Sequence, residues 1–356
     1  MGPQVIEDDW MSAQCPRPSR QHEEAAQARQ DSLTKPLGSL GVLESLAVRL
    51  AALQRTDRPK ADKVRLVLFA GDHGVTAQGV SAYPSAVTVQ MLQNFANGGA
   101  AICVLARALG APLEVVDAGT LAEHEIAGVI ADKPCRGTRN FSREPAMTLG
   151  ELQFSLAAGR RAVGRALQEG VDLLVFGEMG IGNTTSASAI AAALLGTRPG
   201  ELVGAGTGVD NTGIEHKARV IGAALELHGL GTGEVSALEV LARVGGLEIA
   251  ALTGAIIASA QAGVPVLIDG FIVSVAALAA TRIAPSCQEW LIFSHRSREH
   301  GHRLILEALR AEPILDLRLR LGEGSGAAVA VPVVRLACAL HSGMATFAEA
   351  QVAGRA

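Results

Sequence analysis

VDLLVFGEMGIGNTT, residues 171–185, is an unbroken apolar run that empties into a glycine-rich turn and then into Asn183, Thr184 and Thr185. A strand without polar alternation is one buried on both faces, as in a parallel sheet covered by helices. Glycines leading into hydroxyl and amide side chains let a helix N-terminus bring backbone N–H groups close to an anion. Glu178 adds a carboxylate to that cradle, so the expected ligand carries a phosphate with a polar or cationic group beside it. The pattern points to an enzyme that handles a nucleotide-like phosphate ester.

Five further runs have the same Val/Ile/Leu character and the length of buried strands: VRLVLFA (64–70), LEVVDA (113–118), ELVGAG (201–206), VPVLIDG (264–270) and WLIFS (290–294). Between them the apolar spacing is helical, as in residues 87–110 and 152–170, which Gly110 and Gly170 are expected to close. Strands alternating with helices predict an α/β fold, Rossmann-like and doubly wound, on a mainly parallel six-stranded sheet. The polar loops GDHGV, GEMGIGNTT, GAGTGVDNTG, DGF and SHRS each follow one of these runs. In an open parallel sheet such loops share one edge, where ligands bind. The large unit is expected over residues 62–320. Helical stretches at both termini, 1–61 and 321–356, are expected to pack together as a small second unit.

Composition narrows the function classes. With 356 residues and 49% hydrophobic content the chain can bury a large core, and a net charge of −4 argues against a nucleic-acid partner. Five scattered cysteines, Cys15, Cys103, Cys135, Cys287 and Cys338, form neither a disulfide framework nor a CxxC metal site, and they suit a reducing cytoplasm. The acidic start, MGPQVIEDDW, has no targeting signature. The uncharged run Ile249–Ile268 is long enough to span a membrane, but Gly263-Val264-Pro265 divides it, predicting a buried helix that feeds a strand.

Each motif also has a plain structural reading. Thr184 and Thr185 could simply cap a helix. GAGTGVDNTG (204–213) has Val209 where a dinucleotide fingerprint needs glycine, and no Gly-Lys-Ser/Thr closes it, so it is either a connecting turn or a phosphate loop with Lys217 as point charge. In SHRSREHGH (294–302) the His300-x-His302 spacing suits no helical metal site; the loop reads as a solvated turn or as phosphate-adjacent, with Ser294 as a candidate contact. Asp72 and His73 could be an acid–base pair or a brace for their loop. RLGEGSGAA (320–328) sets Glu323 between glycines, either a surface turn or a functional acid. A nicotinamide-dependent oxidoreductase and a non-catalytic nucleotide-binding module remain the competing classes, the first without its fingerprint.

Taken together, these motifs resemble the nicotinate-nucleotide:dimethylbenzimidazole phosphoribosyltransferase family. The resemblance runs through LTKPLGSLGVLESLA (33–47), GDHGVTAQGVSAYPSAVTVQM (71–91), GEMGIGNTT, GGLEIAALTGAI (245–256), GVPVLIDGF (263–271), SHRS and RLGEGSGAA, in order. It implies a homodimer that moves 5-phosphoribose from nicotinate mononucleotide to a benzimidazole in cobalamin lower-ligand synthesis, with no cofactor and no metal. It further implies Glu323 as catalytic base, Glu178 as a ribose-side helper, Gly180, Gly206 and Lys217 on the nucleotide with Asn183 and Thr184 beside them, and Tyr83 and Gln90 at the base. Leu37 replaces a proline usual in the family's early motif, and Tyr83 stands where some members carry a small hydroxyl, which leaves the base open among benzimidazoles and purines.

Overall fold

The structure, a computed structural model, describes residues 10–204, 206, 208, 210–230 and 235–353. Helices α1 (Arg20–Ser32) and α2 (Val42–Gln54) precede β1 (Val64–Gly71), which leads to α3 (Ala86–Ala96), α4 (Ala101–Leu109), β2 (Leu113–Gly119) and β3 (Ile130–Ala131). The chain continues through α5 (Leu149–Gln168), β4 (Leu173–Met179), α6 (Asn183–Leu195), α7 (Asn211–Leu227), α8 (Ala237–Val244) and α9 (Leu247–Gln261). It ends with β5 (Val266–Ile268), α10 (Phe271–Ile283), β6 (Leu291–Phe293), α11 (His302–Ala308) and α12 (Ser325–Gly343).

The six strands are parallel in the order β3-β2-β1-β4-β5-β6. The chain winds outward one way from β1 and the other way from β4, so the topological switch lies between them, with Phe69 opposite Glu178 and Ala70 opposite Met179. This is the doubly wound fold, and a ligand crevice is expected at that switch. Val67, Phe69, Leu174 and Phe176 face one core with residues of α5, α6, α9 and α10. Leu66, Leu68, Leu173 and Val175 face the other, with residues of α2, α4 and α12. Burial on both faces is why these runs show no polar alternation.

Three expectations are corrected. The expected strand 201–206 is not formed by its described residues, 201–204 and 206: after the 3-10 turn Pro199–Glu201, the N–H groups of Leu202 and Val203 bond back to the Pro199 carbonyl at 3.0 Å rather than to a ladder. Residues 205, 207 and 209 of that loop lie outside the described residues. The sixth strand is instead β3, only two residues long at the sheet edge, too short to leave a periodic signal. Residues 87–110 form two helices, because Asn97-Gly98-Gly99 breaks the helical path and Gly98 adopts φ +75°. The run 249–268 divides as read, with buried α9 leading through Gly263 into β5.

The termini meet. Arg29 of α1 donates to the carbonyls of His341 and Met344, and Leu33 bridges to Thr346. Among the described residues α12 is the one helix long and apolar enough to cross a membrane. One face of it is core, however, with Ala327, Ala328, Ala330, Val331, Val334 and Ala337 almost fully buried, while Leu336 is 58% exposed.

Candidate active site

A cavity of about 680 Å³ opens at the carboxyl edge of the sheet, lined by the turn after β4, the residues following β5 and β6, α3, and the 318–323 segment. The loop at Gly206 reaches the same rim although no strand precedes it.

At the cavity floor three carboxylates converge. Glu178 ends β4 and accepts a hydrogen bond from the Asn183 amide at the start of α6. Burial lifts its pKa to about 8, with the charges of Asp269, Glu248 and Glu323 pushing the same way and the Asn183 amide opposing. At neutral pH Glu178 is therefore mostly protonated and can donate a hydrogen bond. Asp269, directly after β5, accepts the Ala327 N–H at 2.9 Å and so caps α12. Its carboxyl is also held above the usual range, by burial first, against the pull of His295 and of backbone N–H groups.

Glu323 occupies the turn that opens α12. Gly322, Glu323 and Gly324 have φ of +87°, +61° and +79°, a left-handed path that a non-glycine residue adopts at a cost. Its Oε2 accepts the Ile102 N–H at 3.1 Å, at the start of α4. Ala100, the N-cap residue of α4, offers no side-chain cap, so Glu323 supplies one from across the sequence. The helix break at Asn97–Gly99 is what exposes this N-terminus. Burial and the Asp269 charge raise the Glu323 pKa, while the N–H groups of Ile102 and Ala101 moderate the rise. The turn lies flat on β4: a Cβ at Gly177 would sit 2.3 Å from the Glu323 carbonyl oxygen. Only glycine fits there.

Lys217, on α7, does not itself line the cavity: it is 1% exposed and lies behind Thr184, donating to Thr184 Oγ1 at 2.6 Å. Asp210 fixes the start of α7 by accepting the Gly213 N–H at 2.8 Å. Burial lowers the lysine pKa to about 8, with Glu299 nearby opposing. A Cβ at Gly206 would meet Thr184 Oγ1 at 2.9 Å and Lys217 Nζ at 3.2 Å, which explains glycine at that position. Thr184 thus serves the lysine; the N-cap of α6 is Gly182, without a side-chain bond.

The other expected contacts divide. Gly180, Asn183, Thr184 and Gly206 line the cavity, as does Tyr83, which is 53% exposed. Gln90 is exposed and lies off the lining, where Val87 and Met91 of the same helix take its place. Ser294 is fully buried beneath the wall, donating to the Ile268 carbonyl at 2.6 Å and lying 3.1 Å from His295 Nδ1. His295 and Ser297 reach the cavity instead. His302 is a buried brace: its Nδ1 accepts the Ser297 N–H at 2.9 Å, its Nε2 lies 3.0 Å from Ser274 Oγ, and burial holds its pKa near 3. His73 pairs with Glu248 at 2.7 Å, not with Asp72, and that pair is fully buried. Burial alone would lower the His73 pKa, but the Glu248 charge and hydrogen bond outweigh it and raise it.

Asp269 and His295 escaped the sequence reading, although the loops DGF and SHRS located them. The role of Asp269 depends on α12 arriving 58 residues later. Among the described residues, no group of three or more His, Cys, Asp or Glu is arranged to hold a metal ion. The cavity thus combines a buried acid at Glu178 and a restrained carboxylate at Glu323 with Thr184 and Gly206, behind which the cation of Lys217 lies, a layout suited to an anionic ligand that needs an acid and a base close together.

Comparison with known proteins bears on this layout. The profile of a family described as phosphoribosyltransferase matches residues 15–352. A Bradyrhizobium protein named nicotinate-nucleotide--dimethylbenzimidazole phosphoribosyltransferase is 63% identical over 347 residues, covering 98% of this chain and 99% of its own. A Pseudomonas putida protein of the same name is 57% identical, covering 97% and 98%. The crystal structure of the enzyme so named from Thermus thermophilus superposes with a TM-score of 0.89 at 44% identity, covering 95% of this chain and all of that one.

Proposed function

Since the chain belongs to this phosphoribosyltransferase family, we propose that it transfers the 5-phosphoribosyl group of nicotinate mononucleotide to 5,6-dimethylbenzimidazole, releasing nicotinate and forming α-ribazole 5'-phosphate. The names carried by relatives that match end to end support the substrates.

The chemistry follows from the two bases. Nicotinate in the mononucleotide is bonded through its ring nitrogen as a cationic pyridinium. It leaves with the C1'–N electron pair and becomes neutral at that nitrogen, so no acid is needed. The incoming benzimidazole attacks C1' through one nitrogen and becomes cationic, and loss of the proton on its other nitrogen draws the transfer forward. Glu323 takes that proton. Attack opposite the leaving group inverts C1', turning a β-nucleotide into an α-product. Lys217, Thr184, Gly206, Gly180 and Asn183 hold the phosphate end, and protonated Glu178 donates to the ribose. Tyr83, Val87 and Met91 form the wall for the base.

The observation that carries this reading is the placement of Glu323 in the cavity that Thr184 also lines, with Lys217 directly behind Thr184; Glu323 is restrained by Ile102 and pushed toward a more basic carboxylate by burial. A positioned base of this kind contributes about 10²- to 10⁴-fold in rate. The same reading sets the enzyme in the nucleotide-loop assembly of cobalamin, in the cytoplasm and away from membranes and nucleic acid. It also divides the chain into a nucleotide-binding unit over 62–320 and a helical unit from 1–61 with 321–356, paired as a homodimer. Nicotinate release assayed with and without dimethylbenzimidazole tests it. Release that depends on the added base supports the transfer; release at the same rate without it overturns the reading.

A further inference from the structure

Beneath the cavity lies a polar framework that the proposed chemistry does not use. Thr88 of α3 is fully buried, and its hydroxyl accepts the Ile181 N–H at 3.1 Å. This one buried hydroxyl thus ties helix α3 to the turn after β4.

The turn is pinned on its remaining side as well. A Cβ at Gly180 would come within 3.2 Å of His73 Nε2 and of Glu248 Oε1, and one at Gly182 within 3.3 Å of His73 Cβ. The buried His73–Glu248 pair is therefore a floor for residues 180–182, and Thr88 is the tie that holds them toward α3.

The two elements joined by Thr88 both line the cavity. Val87 and Met91 line it from α3, and Gly180, Ile181 and Asn183 line it from the turn. We propose that Thr88 is a positioning residue that holds the wall facing the incoming base in register with the turn that grips the nucleotide. The proposal rests on the functional reading above. Displacing reacting groups by about an ångström costs roughly 10²-fold in rate, so a tie between the walls matters even though Thr88 touches neither substrate.

The test is titration calorimetry with nicotinate mononucleotide, which needs no turnover, together with hydrogen exchange over residues 176–186. Thr88→Val keeps the side-chain shape and removes the hydroxyl; it is expected to weaken binding by about tenfold or more and to accelerate exchange at Ile181. Thr88→Ser keeps the hydroxyl and is expected to match the parent protein in both measurements. Unchanged affinity in Thr88→Val, or a Thr88→Ser variant as impaired as Thr88→Val, overturns the proposal. Should Thr88→Val fail to fold, Thr88→Ala carries the same expectations. If the parent protein binds no nicotinate mononucleotide, it is the functional reading that fails. Exchange at Ile181 then decides Thr88 alone, with faster exchange in the valine variant supporting the tie and unchanged exchange overturning it.

Discussion

The carboxylate of Glu323 accepts the backbone N–H of Ile102 at 3.1 Å, so the proposed base is anchored to the N-terminus of a helix 221 residues earlier in the chain. That anchor does two opposing things. It restrains the side chain, and it stabilises the ionised form against the burial and the Asp269 charge that raise its pKa. Glu323 must be ionised to accept a proton. The turnover rate is therefore expected to fall as pH drops through a pKa above the ordinary glutamate value of 4.5, and a pH–rate profile with its acid limb at or below 4.5 would contradict this.

Lys217 sets the alkaline side of nucleotide binding. Its pKa is lowered to about 8 by burial, so above that pH the lysine of the empty enzyme is neutral and must take up a proton to hold a phosphate. Affinity for nicotinate mononucleotide is expected to fall above pH 8, approaching about tenfold per pH unit. Because Glu178 also titrates near 8, the measurement is made by calorimetry in both the parent protein and Glu178→Gln. The fall persists in the variant if it belongs to the lysine.

Glu178 makes the fold itself pH-dependent. Its pKa is 4.5 when exposed and about 8 when folded, so between those values the native state binds more protons than the unfolded chain. Stability contributed by this group is complete below pH 4.5, declines as pH rises toward 8, and is constant above it. Glu178→Gln removes the penalty and is expected to melt at a higher temperature than the parent at pH 8.5, with the difference shrinking toward pH 5. Thermal melts across that range check both the sign and the window.

Gly177 tests the turn from below. Alanine there brings a Cβ within 2.3 Å of the Glu323 carbonyl oxygen and 2.7 Å of the Gly324 nitrogen, so the turn must lift off β4. Overpacking of this kind costs about 1–3 kcal/mol, and turnover is expected to fall further than stability alone would account for. Gly164, in the middle of α5, is the control, because a Cβ added there would meet nothing within 4 Å. Alanine at Gly164 is expected to stabilise the protein by roughly 0.5–1 kcal/mol. Denaturant unfolding and steady-state kinetics on both variants separate the two effects.

The parallel sheet was legible because β1, β2, β4, β5 and β6 are buried on both faces, which leaves runs rich in Val, Ile and Leu. ELVGAG had the composition but not the context, since Pro199 and Gly200 start a tight turn that claims the N–H groups of Leu202 and Val203. Across 87–110 the helical spacing of apolar residues continues through Asn97–Gly99, so spacing alone hid a break that the glycine at 98 enforces. Within the cavity, Glu178, Asn183 and Thr184 were visible because one short segment carries them all. Glu323 and Gly206 reach the same cavity from two other segments, with Lys217 behind Gly206 and Thr184, and the sequence alone weighed each of those against a plain turn. The pairing of His73 with Glu248 spans 175 positions, and the capping of α12 by Asp269 spans 58; neither has a local signature. Gln90 fell one position short of Met91, because helical facing is decided by how α3 packs and not by the motif itself.

The central claim is that Glu323 removes the benzimidazole proton. Its most direct test is Glu323→Gln, which keeps the side-chain size and its capping oxygen but abolishes the base. With both substrates saturating, turnover is expected to fall by about 10²- to 10⁴-fold while calorimetry shows nicotinate mononucleotide bound as tightly as before. Turnover close to that of the parent protein, with the nucleotide bound equally well, would contradict the account.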